Sequence, residues 1–171
     1  MEPTAAPFFQ TLDTPLGPLT LAADAGALVR IAFGATAAAD RPGPVTRRAA
    51  AELAAYFAGE RTAFELPTAP QTTPFQARVL EEVAKVPFGA TASYGEIARR
   101  IGNPGAARAV GLANRSNPLP IVIPCHRIVG AGGRLTGYAG GLDLKRRLLG
   151  HERALAPSAA DRGLAAGAGR A

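Results

Sequence analysis

Residues 93–117 read SYGEIARRIGNPGAARAVGLANRSN. Ser93 followed three residues later by Glu96 matches a capping box, in which each side chain satisfies the other's orphan backbone N–H, so a short helix starts there and ends near Gly102. Asn103-Pro104 make a turn. Gly105 to Asn114 then form a second helix built largely of Gly and Ala, with Arg108 projecting from its first turns. Two short helices across a Pro turn are the helix-turn-helix pattern. The pattern also occurs in ordinary α-rich domains, so taken alone it leaves DNA binding as one of two readings. Side chains this small let a helix approach a groove closely.

Working outward, FQARVLEEVAKVPFG places Phe75, Val79, Leu80 and Val83 on one helical face just before the pattern, and a last helix is expected from about Leu142 to His151. Between them an apolar strand should run to Ile123. Towards the N-terminus, FFQTLDTPLGPLTLAADAGALVRIAFG alternates around turn residues and reads as an antiparallel meander with strands at 8–13, 17–23 and 27–33. Val45, Ala49, Leu53, Tyr56 and Phe57 recur at helical spacing and give an amphipathic helix stopped at Gly59, after which Thr62 to Leu66 can return as a strand. The stretch LPTAPQTTP is a linker. The expected units are an α/β domain over 1–68, a second domain over 69–153, and a disordered Ala/Gly/Pro-rich tail over 154–171.

A chain of 171 residues, 47% of them hydrophobic, can fill a real core. It contains no 18-residue apolar run, and MEPTAAPFFQ lacks the layout of a signal peptide, so a soluble cytoplasmic protein is expected, with no membrane partner. One cysteine excludes an internal disulfide, and with two histidines it is a poor inventory for zinc; no metal and no cofactor are expected. The net charge of +6 is uneven: residues 1–68 carry five Arg against seven acids, while residues 69–153 carry ten Arg and two Lys against five acids. Localised arginine suits a polyanion, and equally a solvated surface.

The sole thiol, Cys125, stands in NPLPIVIPCHRIVGAGG, residues 117–133. A lone cysteine often serves as a small buried hydrophobe. Here Pro124 removes an N–H and biases Ile123 towards an extended conformation, so the sulfur is expected at a fixed strand end, accessible and facing a cavity. His126 follows at once and can help form thiolate, the reactive species. Adjacent strand residues point to opposite faces, so contact would run through a water, and a base of that kind needs an orienting acceptor. Glu152, beyond the last helix, is the candidate; it also reads as a solvated charge.

IPCHRIVGAGG, with SYGEIA, NPGAARAVG and GYAGGLDLKRRLLGHE in the same order and spacing, closely resembles the O6-alkylguanine-DNA alkyltransferases, or methylated-DNA-protein-cysteine methyltransferases, of the bacterial type. The match is strong from about Phe75 to Glu152. It implies an α+β fold, with a ribonuclease-H-like N-terminal sheet and helix and a mainly helical, winged-helix-like C-terminal domain. It also implies a monomer that repairs double-stranded DNA carrying O6-alkylguanine, and O4-alkylthymine as a further substrate, with cooperativity on DNA left open. The damaged base is flipped out and Cys125 attacks the carbon on O6 in one irreversible displacement. The resemblance gives His126 the thiol proton through water, has Glu152 orient His126, has Asn117 hold the active-site turn, and sets Tyr94 against the flipped nucleotide. Arg108 is the finger that fills the vacated space, on a helix in the minor groove. Ser93, Ala106, Ala107 and Asn114 fall at the DNA surface, and Arg115 and Arg127 are phosphate contacts or internal pairs. Pro120, Val129, Tyr138, Ala139 and Gly140 line the base pocket. Ala139 stands where the family often has serine, which removes a hydroxyl contact to O6 and leaves the backbone N–H.

Two other classes fit parts of the pattern. A Cys-His hydrolase would form a thioester and turn over. A lesion sensor would bind DNA without chemistry and would have no use for Cys125.

Overall fold

The computed structural model describes residues 8–36 and 39–156. Strands β1 (Phe8–Leu12), β2 (Leu19–Ala23) and β3 (Leu28–Phe33) form an antiparallel sheet in that order. The first turn closes where the Thr14 hydroxyl donates to Gly17 O at 2.6 Å and accepts from Leu16 N at 3.1 Å, with Gly17 at φ 98, a conformation that disfavours any Cβ. Helix α1 (Pro44–Phe57) starts with proline in its first turn, where a missing N–H costs nothing, and buries Ala49, Leu53 and Tyr56.

The strand expected over 62–66 does not form. Glu65 N donates to the buried Glu52 carboxylate at 2.9 Å and Arg48 donates to Glu65 O, so side chains satisfy this backbone and remove the need for a ladder. Just beyond it, Thr68 makes an isolated bridge with Leu28 of the sheet.

Helix α2 (Pro74–Ala84) is capped by Thr73, whose hydroxyl accepts from Gln76 N at 3.2 Å. The short strand β4 (Ala92–Ser93) leads into α3 (Tyr94–Arg100), and the expected capping box is present: Glu96 N donates to Ser93 Oγ at 3.1 Å and Ser93 N to Glu96 Oε2 at 2.6 Å. Helix α4 (Ala107–Arg115) begins two residues later than expected, because Ala106 N closes the turn onto Asn103 O at 3.0 Å. Strand β5 (Ile128–Val129) pairs parallel with β4. Val79, Val83, Ile97, Val110 and Ile128 make the core under these helices.

The apolar run before Cys125 is a turn, not a strand. Pro118, Pro120 and Pro124 offer no N–H to a ladder. Ile121 is held at φ 74, a costly position for a β-branched residue, and Ile123 N bonds Leu119 O at 2.8 Å. Cys125 opens a single 3₁₀ turn (Cys125–Arg127). Helix α5 (Leu142–Leu155) runs past its expected end, so Glu152 lies within it and the tail cannot begin at residue 154. Residues 157–171 of that expected tail fall outside the described residues.

One core joins the sheet to the later segments: Leu19, Leu28, Leu53 and Tyr56 pack in the same cluster as Leu119, Ile121, Cys125, Tyr138 and Leu148. Among the described residues no helix is long and apolar enough to cross a membrane. Leu148 is fully buried in this cluster, so Leu148→Ala should cost about 2–5 kcal/mol in urea unfolding.

Candidate active site

Asn117 ends the helix-turn-helix segment and organises the turn that follows: its Oδ1 accepts from Leu119 N at 2.9 Å and its Nδ2 donates to Ile123 O at 2.8 Å. A second amide, Asn114 Nδ2, donates to Cys125 O at 3.1 Å. Backbone groups that the prolines leave without ladder partners are thus held by side chains of α4 and its end. The thiol is fixed in place by this turn.

The sulfur is not accessible as expected. Cys125 is 3% exposed because it belongs to the shared core, and burial pushes its thiol up despite the opposing influence of Asn117, the Lys145 charge and the Tyr138 hydroxyl. Its resting form is therefore the thiol, which needs a base before it can attack. The next residue, His126, has the chemistry of a base. The ring is fully buried, and burial lowers its pKa although Glu152 favours its charged form, so the imidazole rests neutral. His126 Nε2 lies 2.7 Å from Glu152 Oε1. A carboxylate only accepts, so Nε2 carries the proton and Nδ1 keeps a lone pair; Nδ1 has no hydrogen-bond partner among the described residues.

Glu152 is not a solvated charge. Burial opposes its ionisation, yet hydrogen bonds from His126 and Arg127, with the Arg127 charge, prevail and hold it down to about 2. Arg127 grips it with two bonds, Nε to Oε2 at 2.8 Å and Nη2 to Oε1 at 2.9 Å, and Gly89 N donates to Oε2 at 3.3 Å. Tyr56 OH donates to Oε1 at 2.8 Å. Arg127 is therefore an internal pair, the second of the two options open to it. Asn114, expected at the DNA surface, is also turned inward, with 2% exposure and its amide on the active-site turn.

Other expected residues fall on the outside. Arg108 and Arg115 are exposed along α4, while Ser93, Ala106 and Ala107 are partly exposed at the starts of α3 and α4. A cleft of about 840 Å³ between β3 and the turn after α4 is lined by Arg30, Phe33, Arg115, Asn117, Pro120 and Ala139 among others; Cys125 is not among its lining residues. Tyr138 packs edge-on to Phe33 with ring centroids 5.9 Å apart, and a Cβ on Gly140 would come within 2.9 Å of Phe33 and Leu144, so this loop sits close against β3. Val129 is buried in β5. Tyr94 OH donates to Thr136 O at 3.0 Å.

Sequence reasoning missed Lys145. It is fully buried, with Nζ donating to Ile128 O and to Thr136 O at 3.1 Å and lying 3.5 Å from Tyr94 OH. Burial pulls it down to about 8, although a thiolate at Cys125 would favour its protonated form. The signal was present: Lys145, Leu148, Leu149 and Glu152 follow the i, i+3, i+4, i+7 spacing of one buried stripe.

The pattern described as 6-O-methylguanine DNA methyltransferase, ribonuclease-like domain, matches residues 8–70, and the one described as 6-O-methylguanine DNA methyltransferase, DNA binding domain, matches residues 74–154. The chain is 46% identical over 157 residues to the methylated-DNA--protein-cysteine methyltransferase of Mycobacterium tuberculosis, covering 88% of this chain and 94% of the relative. It is 44% identical over 149 residues to the Methanosarcina acetivorans protein of the same name, covering 83% and 96%. Its structure is similar to that of Mycobacterium tuberculosis OGT in complex with DNA, with a TM-score of 0.79 and 47% identity over 88% of this chain and 95% of that one.

The Glu152 cluster has a pH signature. Its pKa in the folded protein, about 2, lies below the ordinary 4.5, so its stabilisation is complete above pH 4.5 and is lost as pH falls from there towards 2. Urea unfolding over that window should show a fall that Glu152→Gln flattens, while Glu152→Ala, which leaves Arg127 buried without its partner, should cost about 3–5 kcal/mol near neutral pH.

Proposed function

The chain belongs to the 6-O-methylguanine DNA methyltransferase family, and from that premise we propose that it removes the alkyl group from O6-alkylguanine in double-stranded DNA by moving it, once, to Cys125. The observation that carries the mechanism is the buried contact of His126 Nε2 with Glu152 Oε1 at 2.7 Å, which leaves Nδ1 without a partner on the residue next to Cys125.

The thiol proton passes through a water to His126 Nδ1, and Glu152 stabilises the imidazolium that forms. Sγ then attacks the alkyl carbon: an S–C bond forms, the C–O6 bond breaks, and the electron pair leaves on guanine, which takes up a proton. A thioether is not hydrolysed under these conditions, so each molecule acts once. Keeping the thiol neutral until the base arrives protects a nucleophile that has no second use.

The sulfur is buried, so the base must be brought to it out of the helix stack. The cleft beside Pro120 and Ala139 is the route in. Tyr94, Tyr138 and Gly140 hold the base, with the backbone N–H at Ala139 donating to O6 in place of a serine hydroxyl. Tyr94 stabilises the departing guanine, and Lys145 positions Tyr94 and favours negative charge nearby. Arg108 enters the minor groove and fills the space left by the base, with Ser93, Ala106, Ala107 and Arg115 on the adjoining backbone. Minor-groove entry suits a search for damage in any sequence, because readout there is degenerate. O4-alkylthymine is a further substrate of the same chemistry. The protein works as a cytoplasmic monomer.

Incubation with a duplex carrying O6-methylguanine, followed by intact mass, tests this reading. One methylene should appear on Cys125 with a stoichiometry of one, and Cys125→Ala should bind the duplex and transfer nothing. Catalytic turnover would point to a hydrolase, and binding with unchanged mass to a sensor. Arg108→Ala should still react with a free O6-alkylguanine base while repairing duplex at least about tenfold more slowly; equal loss on both substrates would rule out the finger role.

A further inference from the structure

The Glu152 carboxylate receives donors from three parts of the fold: Arg127 and His126 from the active-site turn, Gly89 from the segment after α2, and Tyr56 from α1. Tyr56 comes from the N-terminal layer, 96 residues away in sequence, yet its hydroxyl shares one oxygen, Oε1, with His126. Its direction is fixed. The ring is fully buried, edge-on to Phe57 and Phe88 with centroids 5.1 and 6.0 Å away, and tilted against Phe64 and His151 at 5.6 and 5.1 Å. His151, one residue before Glu152, places its Nε2 2.9 Å from Tyr56 O, so backbone and side chain of the tyrosine both engage the end of α5.

A buried tyrosine needs some acceptor, and satisfying its own hydroxyl is the plainer account of this contact. The plainer account does not explain the choice of oxygen. Arg127 already neutralises the carboxylate with two bonds, and phenylalanine would fill the same apolar space with no polar group to satisfy. The hydroxyl lands on the one atom that holds the imidazole.

We propose that Tyr56 is a positioning residue for alkyl transfer: its hydroxyl fixes the angle of Glu152 Oε1 and limits how strongly that oxygen pulls on His126, so the N-terminal layer sets the basicity of the general base. The inference rests on the reading of His126 as the base for Cys125. Removing the hydroxyl leaves more negative charge on Oε1, which stabilises the protonated imidazole and raises the pH at which His126 becomes an acceptor. The other charged or titratable groups facing this cluster are Arg127 and Lys145 around His126, Tyr138 and His151 around Tyr56, and Cys125 beside Tyr138; all remain in the variant.

The test uses the full chain with Tyr56→Phe. Single-turnover transfer from an O6-methylguanine duplex is followed across the range in which histidine titrates. The acid limb of the rate profile should move up by roughly half to one unit, with a roughly 3- to 10-fold loss of rate on that limb and unchanged duplex affinity. In a His126→Ala background the same change should have no further effect on rate. A profile identical to wild type, or an equal fractional loss in the His126→Ala background, would overturn the proposal. NMR titration of the His126 ring in both proteins separates this from the function itself. If wild type transfers nothing, the alkyl-transfer reading fails, and the titration still decides whether Tyr56 tunes His126.

Discussion

A carboxylate in a protein interior survives only if its charge is met on every side. Glu152 meets that condition with donors from Arg127, His126, Tyr56 and Gly89. Each donor comes with its own element, so satisfying one charge fixes α5, the 3₁₀ turn at Cys125, the segment after α2 and helix α1 relative to one another. Were any donor displaced, the low-dielectric surroundings that strengthen the remaining bonds would penalise the uncompensated charge instead. The imidazole tautomer, and with it the lone pair on Nδ1, follows from this arrangement.

The same burial decides the chemistry of the sulfur. A cysteine in an apolar core resists ionisation, and a neighbouring imidazole in that core resists protonation. Two such groups favour neutral forms at rest and proton transfer in concert with attack, in contrast to the preformed ion pair of many cysteine enzymes. The buried Lys145 adds a positive charge that acts on the sulfur and lies near the Tyr94 hydroxyl. Charge developing on a departing base would therefore meet groups already in place, without solvent reorganisation.

Features written in short-range chemistry were legible in the sequence. The Ser93–Glu96 capping box, the Thr-Pro and Gly turns of the meander, and the stripe of α1 are local signatures, and they form as expected. The turn before Cys125 was not legible. An apolar run rich in Ile and Val has the composition of a strand, and only the Asn117 amide and the prolines, acting together, convert it to a turn. Glu152 was found as a partner for His126, but its burial was not, because Arg127 and Tyr56 reach it from distant points in the chain. Asn114 was misjudged, and Arg127 left between two readings, for a related reason: a polar side chain beside a DNA-facing segment reads as surface until its internal partner is seen.

The packing of Cys125 bears on what would follow alkylation of its sulfur. Cys125 shares a filled cluster with Leu119, Ile121 and Tyr138. A carbon bonded to its sulfur is an enlarging substitution made in the finished protein, of a type that costs about 1–3 kcal/mol in tight interiors. Alkylation there would be recorded as internal crowding, and a spent copy would then differ from a fresh one in how readily it opens to a protease.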